Sequence, residues 1–314
     1  FVKTGFVRIV APAHTEALQR NVHLLQQIGI RTSLLTAEEL RALDPALRVD
    51  DVTLAAYEPD SGYADPYATA LSFLNAAKRG GAVLYQGVRV TRIRVGQGRV
   101  QGVTTDKGDI DSPIVISAAG PWTRPLLQTA GIDLPLWPSR HQVAVLERPA
   151  KVRSHSTCID GALDLYLRPE SGHLTLVGTD PHQDHVDPDN YREEVDPELQ
   201  TAVAMKTPRR MHQMERAAFR RGIAGVYTMS PDGKCILDRV PGVEGLFLAA
   251  GFSGTGFKIS PAVGIGMAEL VTQGEATSVD ISPFTLSRFA EGRYLRGEYE
   301  YRDRPYERVQ HGGQ

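Results

Sequence analysis

Apolar residues recur at helical spacing through residues 13–28, with Leu18, Val22, Leu25 and Ile28 on one stripe. That spacing predicts an amphipathic surface helix, which Gly29 closes. Thr36 and Glu39 stand three apart, a capping box that opens a second short helix ending before Pro45. Val2–Val10 and a short piece within 51–58 read as strands. Asp65 followed by Pro66 predicts a capped third helix running to about Lys78. Ala82–Tyr85, Val88–Val95 and Val100–Thr104 read as further strands, with Gly96-Gln97-Gly98 turning between the last two. Pro113–Ser117 is an apolar strand that runs into Ala118-Ala119-Gly120-Pro121-Trp122. Small residues where a strand gives way to a helix mark the edge at which α/β sheets bind ligands.

From Pro135 to about Tyr227 the texture changes. His141–Glu147, Leu163–Arg168, His173–Gly178 and Gly222–Thr228 read as strands, with a helix only within Pro197–Arg220. Strands that follow one another without helices predict an antiparallel sheet. Residues 243–272 then return to a strand, turn and helix. Leu246–Ala250 is an apolar strand, and Gly251, Gly254 and Gly256 let backbone approach a ligand closely. A helix is expected from near Lys258, with Pro261 in its first turn. Val263, Met267 and Leu270 or Val271 give it an apolar stripe, and Gly264 and Gly266 permit close packing. No Asp or Glu lies between Glu244 and Glu269, and Lys258 adds positive charge beside the free amides of the helix start. The stretch is suited to an anion.

Composition narrows the function classes. The chain has 314 residues, 41% of them hydrophobic and 23% charged, with a formal net charge of −2. That suits one large or two ordinary domains and offers no general attraction to nucleic acid or anionic membranes. No apolar run reaches the roughly 20 residues of a membrane span. Cys158 and Cys235 lack CxxC spacing and fit a reducing, cytoplasmic setting. Lys206, Arg209, Arg210, Arg216 and Arg220 read as a solvated helix face rather than a nucleic-acid site. His182 and His185, with Asp180, Asp184 and Asp187, read as a polar loop rather than a metal site, because no helix fixes their spacing. Glu58 and Asp60 fit turn chemistry. No G-x-S-x-G elbow is present, and no strand leads into G-x-G-x-x-G.

The segment Gly251-Phe-Ser-Gly-Thr-Gly-Phe-Lys-Ile-Ser-Pro-Ala-Val-Gly264 resembles the flavin-binding segment of the D-amino-acid oxidase-like FAD enzymes. It is most similar to the branch of sarcosine oxidase and dimethylglycine dehydrogenase. Glu58–Tyr67 is similar to that family's link between flavin and substrate domains. The resemblance implies α/β plus α+β architecture: an incomplete FAD-binding Rossmann-like domain with an inserted antiparallel-sheet substrate domain. Residues 1–134 and 222–300 would form the flavin part, 135–221 the substrate part and 301–314 a disordered tail. About the first 50 residues remain open to packing on the substrate part. The family's opening dinucleotide unit is not found, so the resemblance implies a fragment truncated at its N-terminus.

FAD is the cofactor so implied. Its expected contacts are Val90 at the adenine, Ala119, Gly120 and Trp122 at the strand–helix turn, and the loop from Gly251 through Phe252, Ser253, Gly254, Thr255, Gly256 and Phe257 to Lys258. Val226 matches the position of the cysteine that bonds flavin in monomeric sarcosine oxidases, so FAD is expected to be non-covalent. The implied reaction oxidises the C–N bond of a small amino acid, an N-methylated glycine above all, with Lys258 pairing with its carboxylate. Thr255 stands where the sarcosine oxidases carry histidine, which puts sarcosine itself in doubt. Arg140 and His141 line the pocket or serve structure. The strand His173–Gly178 lacks the lysine with which those oxidases activate oxygen, so a dehydrogenase is an alternative. So are a D-amino-acid or glycine oxidase, a non-catalytic fragment, and a scaffold subunit in a homo- or hetero-oligomer.

Overall fold

The computed structural model describes residues 1–152, 154–179 and 182–301. Two short strands open it, β1 (Val2–Lys3) and β2 (Phe6–Ile9), followed by helix α1 (Thr15–Gln27). Strand β3 (Ser33–Leu35) leads into α2 (Ala37–Leu43), whose capping box is formed in full by Thr36 and Glu39. After β4 (Ala55–Glu58) and β5 (Gly62–Tyr63), α3 (Pro66–Arg79) starts where Asp65 accepts a bond from the Ala68 amide at 2.7 Å. A meander follows of β6 (Val90–Gly96), β7 (Arg99–Thr105) and β8 (Gly108–Asp111), then β9 (Val115–Ser117) and α4 (Thr123–Gln128).

The long strand β10 (Trp137–Glu147) begins the next body. It continues through β11 (Thr157–Asp160), β12 (Leu165–Glu170), β13 (Leu174–Gly178), β14 (Gln183–Asp184), α5 (Pro197–Arg210) and β15 (Ala218–Met229). The chain closes with β16 (Ile236–Arg239), β17 (Leu246–Ala250), α6 (Gly256–Gln273) and the single-turn α7 (Ser287–Ala290).

Among the described residues nine strands make the main sheet, in the order β14-β10-β13-β12-β11-β2-β4-β3 with β15 along the far side of β10. Neighbours from β10 to β12 run antiparallel, as the uninterrupted strands predict, whereas β11 and β2 run parallel. The sheet thus joins β2, β3 and β4 from the start of the chain to the strands between 137 and 229. One face is closed. Ala144, Leu146, Leu165, Leu167 and Val177 pack there with Leu40 of α2 and Leu199 and Val203 of α5. The other face carries half-buried side chains, among them His141, Tyr166, Arg168 and Leu176. A smaller sheet has the order β16-β17-β9, with β9 and β17 parallel. Among the described residues no helix is long and apolar enough to cross a membrane.

Several elements differ from expectation for local reasons. Ala82–Tyr85 is not a strand. The Ala82 amide donates back to Ala77 of α3, and Val83, Leu84 and Tyr85 stay exposed with no neighbouring strand. Helix α6 begins two residues earlier than predicted, so Pro261 lies inside it. The carbonyl that proline cannot serve, Phe257 O, accepts the Ser260 hydroxyl at 2.9 Å. Gly266 packs closely, since an added Cβ would come within 2.7 Å of Ile281, but Gly264 faces open space. On α1 only Leu18 and Val22 of the stripe are buried, and Ile28 is exposed. The reading of the tail as disordered falls outside the described residues from position 302 onward, as does Asp180.

Candidate functional site

Strands β9 and β17 are parallel neighbours with Ser117 opposite Leu248, so the loops that leave their C-terminal ends emerge side by side. The loop after β17 needs three residues with positive φ: Gly251 at 69°, Ser253 at 49° and Gly254 at 77°. Space requires glycine as well. A Cβ on Gly251 would meet Leu136 at 2.8 Å, and one on Gly254 would meet the Tyr227 ring at 2.7 Å. Ser253 adopts the left-handed conformation because its polar atoms are held. Its amide donates to Thr228 O at 2.9 Å, its hydroxyl donates to Gly251 O at 3.2 Å, and it accepts the Ser230 amide at 3.1 Å.

The loop after β9 turns at Gly120, with φ of 54°, into a single 3-10 turn ending at Trp122. Gly120 faces Thr228, whose hydroxyl would lie 3.9 Å from an added Cβ. Thr228 therefore bonds one loop and lies beside the other, and the fold brings together Ala119-Gly120 and Gly251–Thr255, which lie far apart in sequence.

Helix α6 starts from this point. Thr255 is its N-terminal flanking residue, but its hydroxyl donates backwards to Phe252 O at 2.7 Å, so no side chain caps the helix. The first turn contains no acid. The first-turn amides of Gly256, Phe257 and Lys258 stand at the positive end of the helix dipole, and both Phe257 and Lys258 are exposed. The Phe252 side chain packs back into the core beneath the helix.

Above the loop stands a column of three rings. Tyr227 stacks on His141 with centroids 4.2 Å apart, and His141 stacks on His182 at 5.1 Å with the planes 2° apart. The Ser139 hydroxyl is 3.1 Å from His141 Nε2. Burial raises the Tyr227 phenol above its ordinary pKa. Nothing in the sequence alone marks Tyr227 as part of the site, and the segment around His182 reads there as a polar loop. Only the alternation of β15, which puts Gly225 and Tyr227 on one face, hinted at the first of them.

Other expected residues lie elsewhere. Arg140 is buried and each of its three side-chain nitrogens is engaged: Nε with Arg192 O, Nη1 with Asp196 at 2.8 Å, and Nη2 with Glu194 O. It faces the closed side of the sheet with Gln142, not the ring column, because strand alternation separates it from His141. Trp122 donates its indole N–H to Asp189 at 3.0 Å, and Arg89 holds the same carboxylate at 2.9 Å. Val90 is next to Arg89, partly exposed at the start of β6. Both cysteines are buried. Burial pushes the Cys235 thiol up to about 11 and raises Cys158 as well, so neither is a ready nucleophile.

This geometry fits a flavin. Glycines clear an approach, an uncapped helix start offers amides to an anionic ring edge, and a second small-residue turn lies alongside. The model of the DAO family, FAD dependent oxidoreductase, matches residues 1–270. Human mitochondrial sarcosine dehydrogenase is 27% identical over 286 residues, which are 86% of this chain and 30% of that protein. The 4-methylaminobutanoate oxidase (formaldehyde-forming) of Paenarthrobacter nicotinovorans is 29% identical over 82% of this chain and 33% of its own length. The chain thus spans about a third of the length of these curated relatives. L-proline dehydrogenase from P. horikoshii superposes with a TM-score of 0.87 at 26% identity, covering 94% of this chain and 78% of that one. The match over most of its length makes this chain a member of the DAO family of FAD-dependent oxidoreductases.

Proposed function

We propose that this chain serves an amine oxidoreductase that oxidises the C–N bond of a small amino acid, with an N-methylated amino acid as its class of substrate. The observation that carries the reading is the meeting of the two small-residue loops at Thr228, under the Tyr227–His141 stack. The names of two relatives, sarcosine dehydrogenase and 4-methylaminobutanoate oxidase, support the N-methyl class. When bound, FAD supplies the two-electron acceptor for the C–N carbon. The amides of the α6 start would hold the ring edge on which negative charge gathers in reduction. Lys258, in the same first turn, would pair with the substrate carboxylate and fix the reacting carbon. Tyr227 and His141 would wall the other side of the substrate and exclude water. With Val226 at the attachment position and Cys235 buried, the flavin would be held without a covalent bond. The lack of lysine on β13 favours an electron acceptor other than oxygen.

Lys258→Met in the intact protein tests the substrate placement. It should lower kcat/KM by roughly 10- to 100-fold on N-methyl amino acids while leaving flavin content unchanged. Unchanged kcat/KM across a panel of such substrates would sink the assignment.

A further inference from the structure

The left-handed Ser253 is the bend on which the glycine loop hangs, and its restraints lead away from the site into the C-terminal part of the chain. Ser230 donates its amide to Ser253 Oγ at 3.1 Å and lies 3.3 Å from it, hydroxyl to hydroxyl. The Ser230 hydroxyl proton goes to Lys234 O at 2.7 Å. That same carbonyl accepts from Arg288 Nη2 at 2.9 Å. Arg288 also grips both oxygens of Asp232, at 2.8 Å through Nε and 2.9 Å through Nη2. Asp232 accepts the amides of Lys234 and Leu295 as well, at 3.1 and 3.0 Å. The ion pair is dry: the two side chains are 0% and 1% exposed.

A buried pair of this kind gains little net stability over apolar packing, because desolvation offsets its attraction. Its bidentate geometry does fix direction. The turn 230–234 is therefore held from behind by the segment 285–295, and it holds Ser253 in front.

We propose that Arg288 is a positioning residue for the flavin-facing loop. Through Lys234 O, Asp232 and Ser230 it locks Ser253 in the left-handed conformation and so sets where the Gly251–Thr255 backbone and the start of α6 point. Arg288 and Asp232 are buried, and the inference rests on the flavin reading of that loop. A looser loop would present its amides less well to the negative charge of a reduced flavin, so the cofactor would become harder to reduce.

The test uses the intact protein, Arg288→Lys, which keeps the charge but loses the fork, and Ser230→Ala, which spares the ion pair and removes the hydroxyl bond to Lys234 O while keeping the amide bond to Ser253. Amide hydrogen exchange at 251–256 is measured without added flavin, with β10 and β13 as the internal reference. Arg288→Lys should speed exchange at 251–256 by about tenfold and Ser230→Ala by less, with the reference strands unchanged in both. Where flavin is bound, its midpoint potential should become more negative in both. The proposal is overturned if exchange at 251–256 is unchanged in Arg288→Lys, or if it rises only together with the reference strands. If the unaltered protein binds no flavin, the flavin reading fails, while the exchange measurement still decides whether Arg288 positions the loop.

Discussion

Helices α3 and α5 begin alike and end differently. Each runs for 14 residues and each opens with Asp-Pro, at Asp65-Pro66 and Asp196-Pro197. In α3 the aspartate caps, accepting the Ala68 amide, and no residue of the helix is buried. Tyr67, Leu71 and Phe73 are exposed. In α5 the aspartate makes no side-chain cap, because its carboxylate is held by Arg140 and Gln142 instead. That helix buries Leu199, Val203, Thr207 and Arg210 against the nine-stranded sheet. The same two residues start both helices, since proline presets the first turn and aspartate tolerates the extended flank. What the aspartate then bonds to depends on who stands nearby. A strong neighbouring cation outcompetes a backbone amide.

The largest expected effect tests burial at the end of α5. Arg210 is 0% exposed and binds Asp160, itself 1% exposed, at 2.7 Å. Asp160→Asn removes the buried charge partner, leaving that guanidinium with the half-exposed Asp51 alone, and should cost about 4 kcal/mol in urea unfolding. The matching change at the end of α3, Lys78→Met, should stay within about 0.5 kcal/mol. A cost at Lys78 equal to that at Asp160 would erase the contrast.

Packing comes next. Leu199→Ala should destabilise by about 3 kcal/mol through lost burial and a cavity, whereas Leu71→Ala on α3 should be near neutral. Thermal denaturation of the pair measures the difference directly. Equal melting points would mean that α3 is covered by something in solution.

The caps give a smaller effect. Asp65→Ala should lose about 1 kcal/mol and Asp65→Asn much less, because asparagine caps as well. At Asp196 the order reverses in meaning: Asn keeps a capping group but loses the charge that Arg140 needs. Asp196→Asn is expected to cost more than Asp65→Asn, and the reverse ranking would show that Asp196 acts as a cap after all.

The smallest effect is in pH. The Arg140 hydrogen bond holds the Asp196 carboxyl below the usual carboxylate range, against a smaller opposing effect of desolvation. A carboxyl depressed by folding contributes stability above its unfolded pKa of about 3.9 and loses it as pH falls through the lower folded value. Unfolding free energy should therefore fall below about pH 4, and Asp196→Asn should flatten that part of the profile. An unaltered slope in the variant would remove Asp196 from the acid response.

The local rules were legible in residues close together in sequence. Thr36 with Glu39 and Asp65 with Pro66 cap as their spacing requires, and Gly96–Gly98 turns a hairpin between β6 and β7. The glycine loop is the clearest case. Gly251 and Gly254 carry positive φ and stand against side chains that leave no room for a Cβ, so the sequence had to place glycine there. Backbone sterics act over a few residues, which is why they can be read without a structure.

Tertiary structure decided what meets across the chain. Arg140 and His141 are adjacent, yet strand alternation sends one to the ion pair with Asp196 and the other to the ring stack. Tyr227 reaches His141 because β15 pairs with β10 in one register, and a slip of one residue would put Val226 in its place. Ala82–Tyr85 has strand-forming residues but no partner strand, so it stays irregular. The positive charge on Arg288 names no partner until the turn at Asp232 folds onto it. Local conformation follows from the residues themselves, but sheet register and buried pairing depend on segments that only the folded chain brings together.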